Sequence, residues 1–396
     1  TVTPPRGTVQ TDAALLSEIP PEAWVIRTTS FEPYRLYRAI GGKRAQDDPR
    51  HRATLVDGAG KSGGLADRAY AAFTNRFLVP DAKIGWFPLA LDAARSIRAS
   101  AHPRLVIATG PPASTLVIGG AIARQWLVPL VLDYRDPWTT GYYPLDRPAE
   151  VAAREATLEA QLLQEAALIT TVSTGFAAKL KQAVQDSVRL RGKLAVIPNG
   201  YDPAILARVT PHRFDRPTLV HTGSLYHQRS PEPFFEAWAA VRNTLPHEWG
   251  QWDVLFVGNT DPAYPARAQE LGLTNCRFAA FVDHVTALSY QAGATALLLF
   301  TEGMQTAKVY EYLPARHPIL AIGDAPDLDT LLFEWGAGRC FPRDDSADIA
   351  QWLLDLLAER ANPAGSLTVE LKQDLATIQR EPLAADLAAR CRALLL

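Results

Sequence analysis

Short apolar runs, each leading into a glycine-bearing or polar loop and then into a helix-like stretch, recur along this chain and leave few folds open to it. The runs read as strands at 104–108 (RLVIA), 129–132, 167–172 (ALITTV) and 193–197 (KLAVI), and again at 218–222, 252–257, 276–281, 294–300 and 318–322. Between them, apolar residues at helical spacing predict helices over 89–97, 114–126, 147–166, 174–185, 234–243, 265–271, 328–336 and 347–360. Ser173 is placed to cap the helix at 174. Strand, helix and strand within about 30 residues make a βαβ unit, with parallel pairing and a right-handed crossover. The expected fold class is therefore α/β, in two Rossmann-like halves.

A length of 396 residues exceeds what one core usually supports. The pattern also restarts at Pro217 after a stretch rich in proline and polar residues. This predicts a first domain over 1–200, a linker over 201–216 and a second domain over 217–396. A formal charge of −2 gives no electrostatic footprint for nucleic acid. Cys276, Cys340 and Cys391 fit neither zinc spacing nor a disulfide framework, which points to a reducing compartment. The most membrane-like run, 116–132, contains Arg124 and Pro129 and reads as helix, turn and strand rather than a span; no signal peptide is visible. Residues 24–28 (WVIRT) read as an early strand, and 31–76, broken by glycines and rich in charge, as a mobile or partly helical excursion.

Two clusters of residues carry chemistry in the second half. In TEGMQTAKVYEYLPARHPILAIGD, from Thr301 to Asp324, Lys308 and Glu311 share one helix face just beyond a strand. Such a helix start attracts phosphate, with Lys308 to neutralise it and Glu311 to accept from ribose hydroxyls; the alternative is a solvated ion pair. In GSLYHQRS, Gly223 follows a strand directly and Arg229 supplies a donor fork suited to diphosphate. The first half offers Asp133, Arg135, Asp136 and Trp138 after a strand, either a packed loop ion pair or a grip on sugar hydroxyls and rings. His221, His227, His284 and His317 read as structural. No Gly-x-Gly-x-x-Gly, Walker or Gly-x-Ser-x-Gly motif occurs, which removes the simple dehydrogenase, NTPase and hydrolase readings.

Several of these segments together resemble glycosyltransferase family 4, retaining nucleotide-sugar transferases of GT-B fold. They are AKVYEYLPARHPILAI, HTGSLYHQRSPEPFFEAW, VIPNGYD, GPPAST, PLVLDYRDPW and PDAKIGW, and they run in the family's order from about Pro80 to Arg360. GPPAST, PLVLDYRDPW and PDAKIGW are similar to a subgroup associated with bacterial exopolysaccharide and lipopolysaccharide assembly. The resemblance implies two domains facing a cleft, an acceptor side with Asp133, Arg135, Asp136, Trp138 and Gly110, and a donor side. On the donor side Gly223, Ser224, Arg229, Thr306 and Lys308 would hold the diphosphate and Glu311 the ribose. Glu302, Gly303, Met304 and Gln305 would meet the donor sugar. It further implies a nucleoside-diphosphate sugar as substrate, a glycan or polyprenyl-linked acceptor, no cofactor and no metal. The implied place is the cytoplasm, with peripheral contact at the inner membrane face left open.

The sequence departs from that pattern in places. Glu302 precedes Glu311 by nine positions where the family has eight; Ser224 stands for an Arg, Arg316 and His317 for Gly-Lys, and Thr295 for an Asp. TVTPPRG resembles the segment that follows the family's first strand and Gly-rich loop, so that strand is expected to be missing. A sugar-nucleotide epimerase built on the same shell, and a truncated transferase-like protein that only binds, are the other two readings.

Overall fold

The computed structural model describes residues 19–29, 72–73, 76–81, 83–141, 147–184, 187–225, 229–361 and 367–396. The chain divides into two compact units, residues 1–197 with 388–396, and residues 198–387. The first runs α1 (Phe87–Ala101), β1 (Val106–Gly110), α2 (Ala113–Trp126), β2 (Leu130–Tyr134), α3 (Ala149–Glu165), β3 (Leu168–Thr171), α4 (Thr174–Gln182) and β4 (Leu194–Val196). Its strands lie in the order β1-β2-β3-β4, all parallel. Leu116, Leu132, Leu162 and Ile169 lie in one buried cluster between sheet and helices. The Ser173 side chain accepts from Phe176 N–H at 3.1 Å, as the expected cap of α4.

The second unit continues with β5 (Thr218–Thr222), α5 (Glu232–Thr244), β6 (Asp253–Val257), α6 (Ala263–Glu270), β7 (Cys276–Ala279), α7 (His284–Gly293), β8 (Ala296–Phe300), α8 (Lys308–Tyr312), β9 (Ile319–Ile322), α9 (Pro326–Trp335), β10 (Gly338–Phe341) and α10 (Ser346–Ala361), and the last helix, α11 (Arg380–Ala393), starts in this unit and ends in the first. Its sheet is parallel throughout, in the order β10-β9-β8-β5-β6-β7. Side chains alternate across it, as a strand's period of two requires. Leu219, Ala296, Leu298, Phe300, Leu320 and Ile322 pack with Phe234, Phe235 and Trp238 of α5. Val220, Leu297, Leu299, Ile319 and Ala321 pack on the other face with Val309, Leu328 and Leu332. Both faces being covered, β8 and β9 are apolar throughout and β5 and β6 largely so, which is why they stand out in the sequence. The strand order reverses between β5 and β8, and that point is where open α/β sheets bind ligands, beyond the strands' carboxyl ends.

Three expectations change. Residues 24–28 hold a single bridge residue, Thr28, and no strand; Trp24, Val25 and Ile26 are exposed rather than buried. The expected linker 201–216 belongs to the second unit, tied in by Tyr201 N–H to the Ile378 carbonyl at 3.0 Å and by the Ser289 hydroxyl to the Thr210 carbonyl at 2.6 Å. The chain's last residues, 388–396, belong to the first unit rather than the second. The membrane-like run is split between α2 and β2, and among the described residues no helix is long and apolar enough to cross a membrane. The opening TVTPPRG and nearly all of 31–76 lie outside the described residues.

Candidate functional site

At the reversal point β5 ends in Thr222, with Gly223 directly after it, and this pair is held from three sides. Gly223 N–H donates to the Val257 carbonyl at 2.8 Å. Tyr312, fully buried at the end of α8, accepts from Thr222 N–H at 3.1 Å and donates to the Leu298 carbonyl at 3.2 Å. Gln291 donates to the Thr222 hydroxyl at 2.8 Å. Tyr312→Phe leaves the Thr222 N–H unpaired in the interior, so it should cost about 1–3 kcal/mol of stability in urea denaturation.

Gly223 and Lys308 meet here. A Cβ added at Gly223 would lie 3.3 Å from Lys308 Cε and 3.3 Å from His221 Nε2, so the bare backbone is what lets the lysine stem lie across the strand end. Lys308 Nζ stands 3.5 Å from Glu311 Oε2, and His284 Nε2 stands 3.5 Å from Glu311 Oε1. Burial pushes the Glu311 carboxyl up, but His284 and Lys308 together outweigh it and hold the carboxyl below its usual range. The Thr306 hydroxyl accepts from Lys308 N–H at 3.3 Å. α8 has only five residues, so few peptide dipoles align; the positive charge offered here is that of the Lys308 side chain, not of a helix start.

Arg229 and Glu302 form the second pair, Nε to Oε1 at 3.4 Å. Glu302 is 2% exposed, and neither carboxylate oxygen has a hydrogen-bond partner. Burial pushes its carboxyl up to about 7, against the opposing pull of Arg343. The turn that buries it is closed by Gly303 at φ 86° and by the Thr301 hydroxyl, which hydrogen-bonds both the Met304 carbonyl and, at 3.3 Å, Met304 N–H. Gln305 is buried with its amide donated to the Tyr310 hydroxyl. Of the residues expected at the donor sugar, Glu302 thus lies beside Arg229, and the Gln305 amide is engaged within the fold.

Three groups at this site escape a reading of the sequence. Arg343, beyond β10, donates to the Thr301 carbonyl at 3.1 Å and stands 3.9 Å from Asp324; only the sheet order brings it there. His284 and His221, read as structural, lie against Glu311 and against Gly223 respectively. His317 bonds the Ala292 carbonyl at 3.1 Å. His227 lies outside the described residues.

In the first unit, Gly110, Asp133, Arg135, Asp136 and Trp138 gather at the carboxyl ends of β1 and β2. Arg135 N–H donates to the Gly110 carbonyl at 2.9 Å, and the Thr170 hydroxyl to Asp133 at 2.8 Å. Arg135 stands 3.8 Å from Asp133, and Trp138 packs against the core. Beneath this loop α3 turns two buried carboxylates inward, one helical turn apart. Glu159 accepts from Thr139 N–H at 3.0 Å and from its hydroxyl. Glu155 pairs with buried Arg147 at 2.9 Å. Both carboxyls are raised by burial. The start of α2 is occupied by Asp81, which accepts from Ser114 N–H at 2.8 Å and from its hydroxyl at 2.6 Å.

The chain matches no protein-family model and no curated protein sequence. Solved structures do resemble it. Sucrose-phosphate synthase from Thermosynechococcus elongatus is 17% identical over 79% of this chain and 79% of its own, with a TM-score of 0.58. HepE from Anabaena, solved with UDP and glucose, is 17% identical over 76% and 82%, with a TM-score of 0.53. The lipopolysaccharide outer core galactosyltransferase WaaB is 13% identical over 77% and 79%, with a TM-score of 0.53. The chain has the GT-B fold. That likeness is one of architecture, two parallel α/β units.

Proposed function

We propose that this chain is a retaining glycosyltransferase that moves a sugar from a nucleoside-diphosphate sugar to a glycan or lipid-linked acceptor in cell-surface polysaccharide assembly. One observation carries the reading: at the strand-order reversal, bare Gly223 backbone, Lys308 and Glu311 adjoin one another. A diphosphate lying along Gly223 and Ser224 would meet Lys308, with Arg229 as the second cation and Glu311 left to accept from a ribose. Glucose- and UDP-bound HepE shows that this architecture accommodates a nucleotide and a sugar in that protein. The loop around Asp133, Arg135, Asp136 and Trp138, with Gly110, is the proposed acceptor side.

Transfer from such a donor requires charge stabilisation of the departing diphosphate more than a strong base. Lys308 and Arg229 supply two cations for it, and no residue is assigned as a base. Hydrogen bonds to charged groups are worth about 1.5–3 kcal/mol each. Removing both in Arg229→Ala/Lys308→Ala should therefore weaken UDP binding about a hundredfold or more by titration calorimetry. Unaltered affinity in a folded double variant would overturn the assignment. Product analysis of a UDP-sugar incubated without acceptor separates transfer from epimerisation, since only an epimerase changes the donor alone.

A further inference from the structure

His221 sits in the middle of an apolar sheet, 3% exposed, and its environment fixes its state. Nδ1 lies 2.9 Å from the Leu298 carbonyl, an oxygen that can only accept, so Nδ1 carries the proton. Nε2 is then a bare acceptor, and it has no hydrogen-bond partner although it is fully enclosed. Burial, reinforced by the positive charges of Lys308 and Arg229, keeps the ring neutral, with its pKa lowered to about 3. The ring stands edge-on to Phe300 at 5.0 Å and near Phe256 at 6.3 Å, so an aromatic hydrocarbon would fill the same space. Packing alone does not call for nitrogen at this position.

We propose that His221 is a positioning residue for Lys308: its Nε2 accepts a hydrogen bond from the Lys308 ammonium when that group turns from Glu311 to a bound diphosphate. This rests on the nucleotide-sugar reading of the site. Nε2 and Lys308 Cε flank the same point above Gly223, each 3.3 Å from where a Cβ would lie. The ammonium stands 3.5 Å from Glu311 Oε2, at the limit of hydrogen bonding. A ribose taking Glu311 would release it. An ammonium has three donors and a phosphate oxygen takes one or two, so a fixed acceptor below it sets the direction of the remaining one. An imidazole held neutral, with its bare Nε2 and the Lys308 stem on either side of one point above Gly223, is such an acceptor; a protonated one would repel the ammonium.

The test is a double-mutant cycle read as UDP affinity by calorimetry at pH 8. His221→Phe should bind UDP about tenfold more weakly while remaining folded, and should make no further difference in a Lys308→Ala background. His221→Gln, which returns an acceptor near the position of Nε2, should bind within about threefold of the parent. Parental affinity in His221→Phe, or losses that simply multiply in the double variant, would overturn the role. So would a folded His221→Gln as weak as His221→Phe, and that variant decides the question alone if His221→Phe does not fold. Failure of the parent to bind UDP, with pyrophosphate likewise unbound, would instead bring down the nucleotide-sugar reading itself.

Discussion

His221→Phe is expected to gain stability relative to the parent as the solution is acidified, by about 3 kcal/mol between pH 8 and pH 4, and Glu302→Gln to lose about as much. The folded His221 has its pKa lowered to about 3 from an unfolded value of 6.5. Between those values the unfolded chain takes up a proton that the folded one refuses. Its contribution is present above 6.5 and is lost as pH falls toward 3. The folded Glu302 has its pKa raised to about 7 from 4.5, the opposite sense. There the folded state holds a proton that the unfolded chain has released, so the contribution is present below 4.5 and lost as pH rises through 7. Lys308 and Arg229 face the imidazole, and Arg229 and Arg343 face the carboxyl. The two slopes oppose each other in the parent, and removing either group exposes the other. Urea denaturation of the three ligand-free proteins at both pH values measures this directly. Parallel pH responses in the parent and His221→Phe would mean that the imidazole titrates in the folded state as it does in the unfolded chain.

The same two residues show where sequence reading succeeds and where it stops. The strands of the second unit were legible because both faces of the sheet are covered, so TLVHT, DVLFV and ALLLF read as largely apolar runs. β10 was not, because GRCF is short and carries a charged residue that stays exposed. α11 shows no apolar stripe and buries only Cys391, so no helical period marks it. At the site, Lys308 and Glu311 could be paired from their spacing on one helix. Arg343 comes from the turn after β10, and Glu302 is turned inward by a loop closed through Thr301 and Gly303. His221 looked like a core residue, and by burial it is one; its meaning lies in the unpaired nitrogen, which depends on a carbonyl from β8. Glu155 and Glu159 fall a turn apart on one helix face, but only the fold shows that this face is the inner one.

Gly258→Val is expected to lower stability by about 2–4 kcal/mol and, in the fraction that folds, to abolish measurable UDP binding. Gly258 follows β6 directly, at φ 137°, a backbone region that side chains rarely tolerate. A Cβ there would lie 2.3 Å from the Gly223 carbonyl oxygen, and that oxygen belongs to backbone, with no flexible side chain to swing aside. Relief requires either β6 or the Gly223 peptide to move. Moving Gly223 withdraws the surface over which Lys308 lies, and strains the bond from Gly223 N–H to the Val257 carbonyl. Gly192→Ala supplies the control, since Gly192 also has a positive φ, 78°, but a Cβ there would meet nothing within 4 Å. It should cost about 1 kcal/mol through backbone strain alone and leave UDP affinity at the parental value. Equal losses of stability and unchanged binding in both variants would mean that the close approach of Gly258 to Gly223 is relieved without shifting the site, and that a diphosphate is not laid across this strand end.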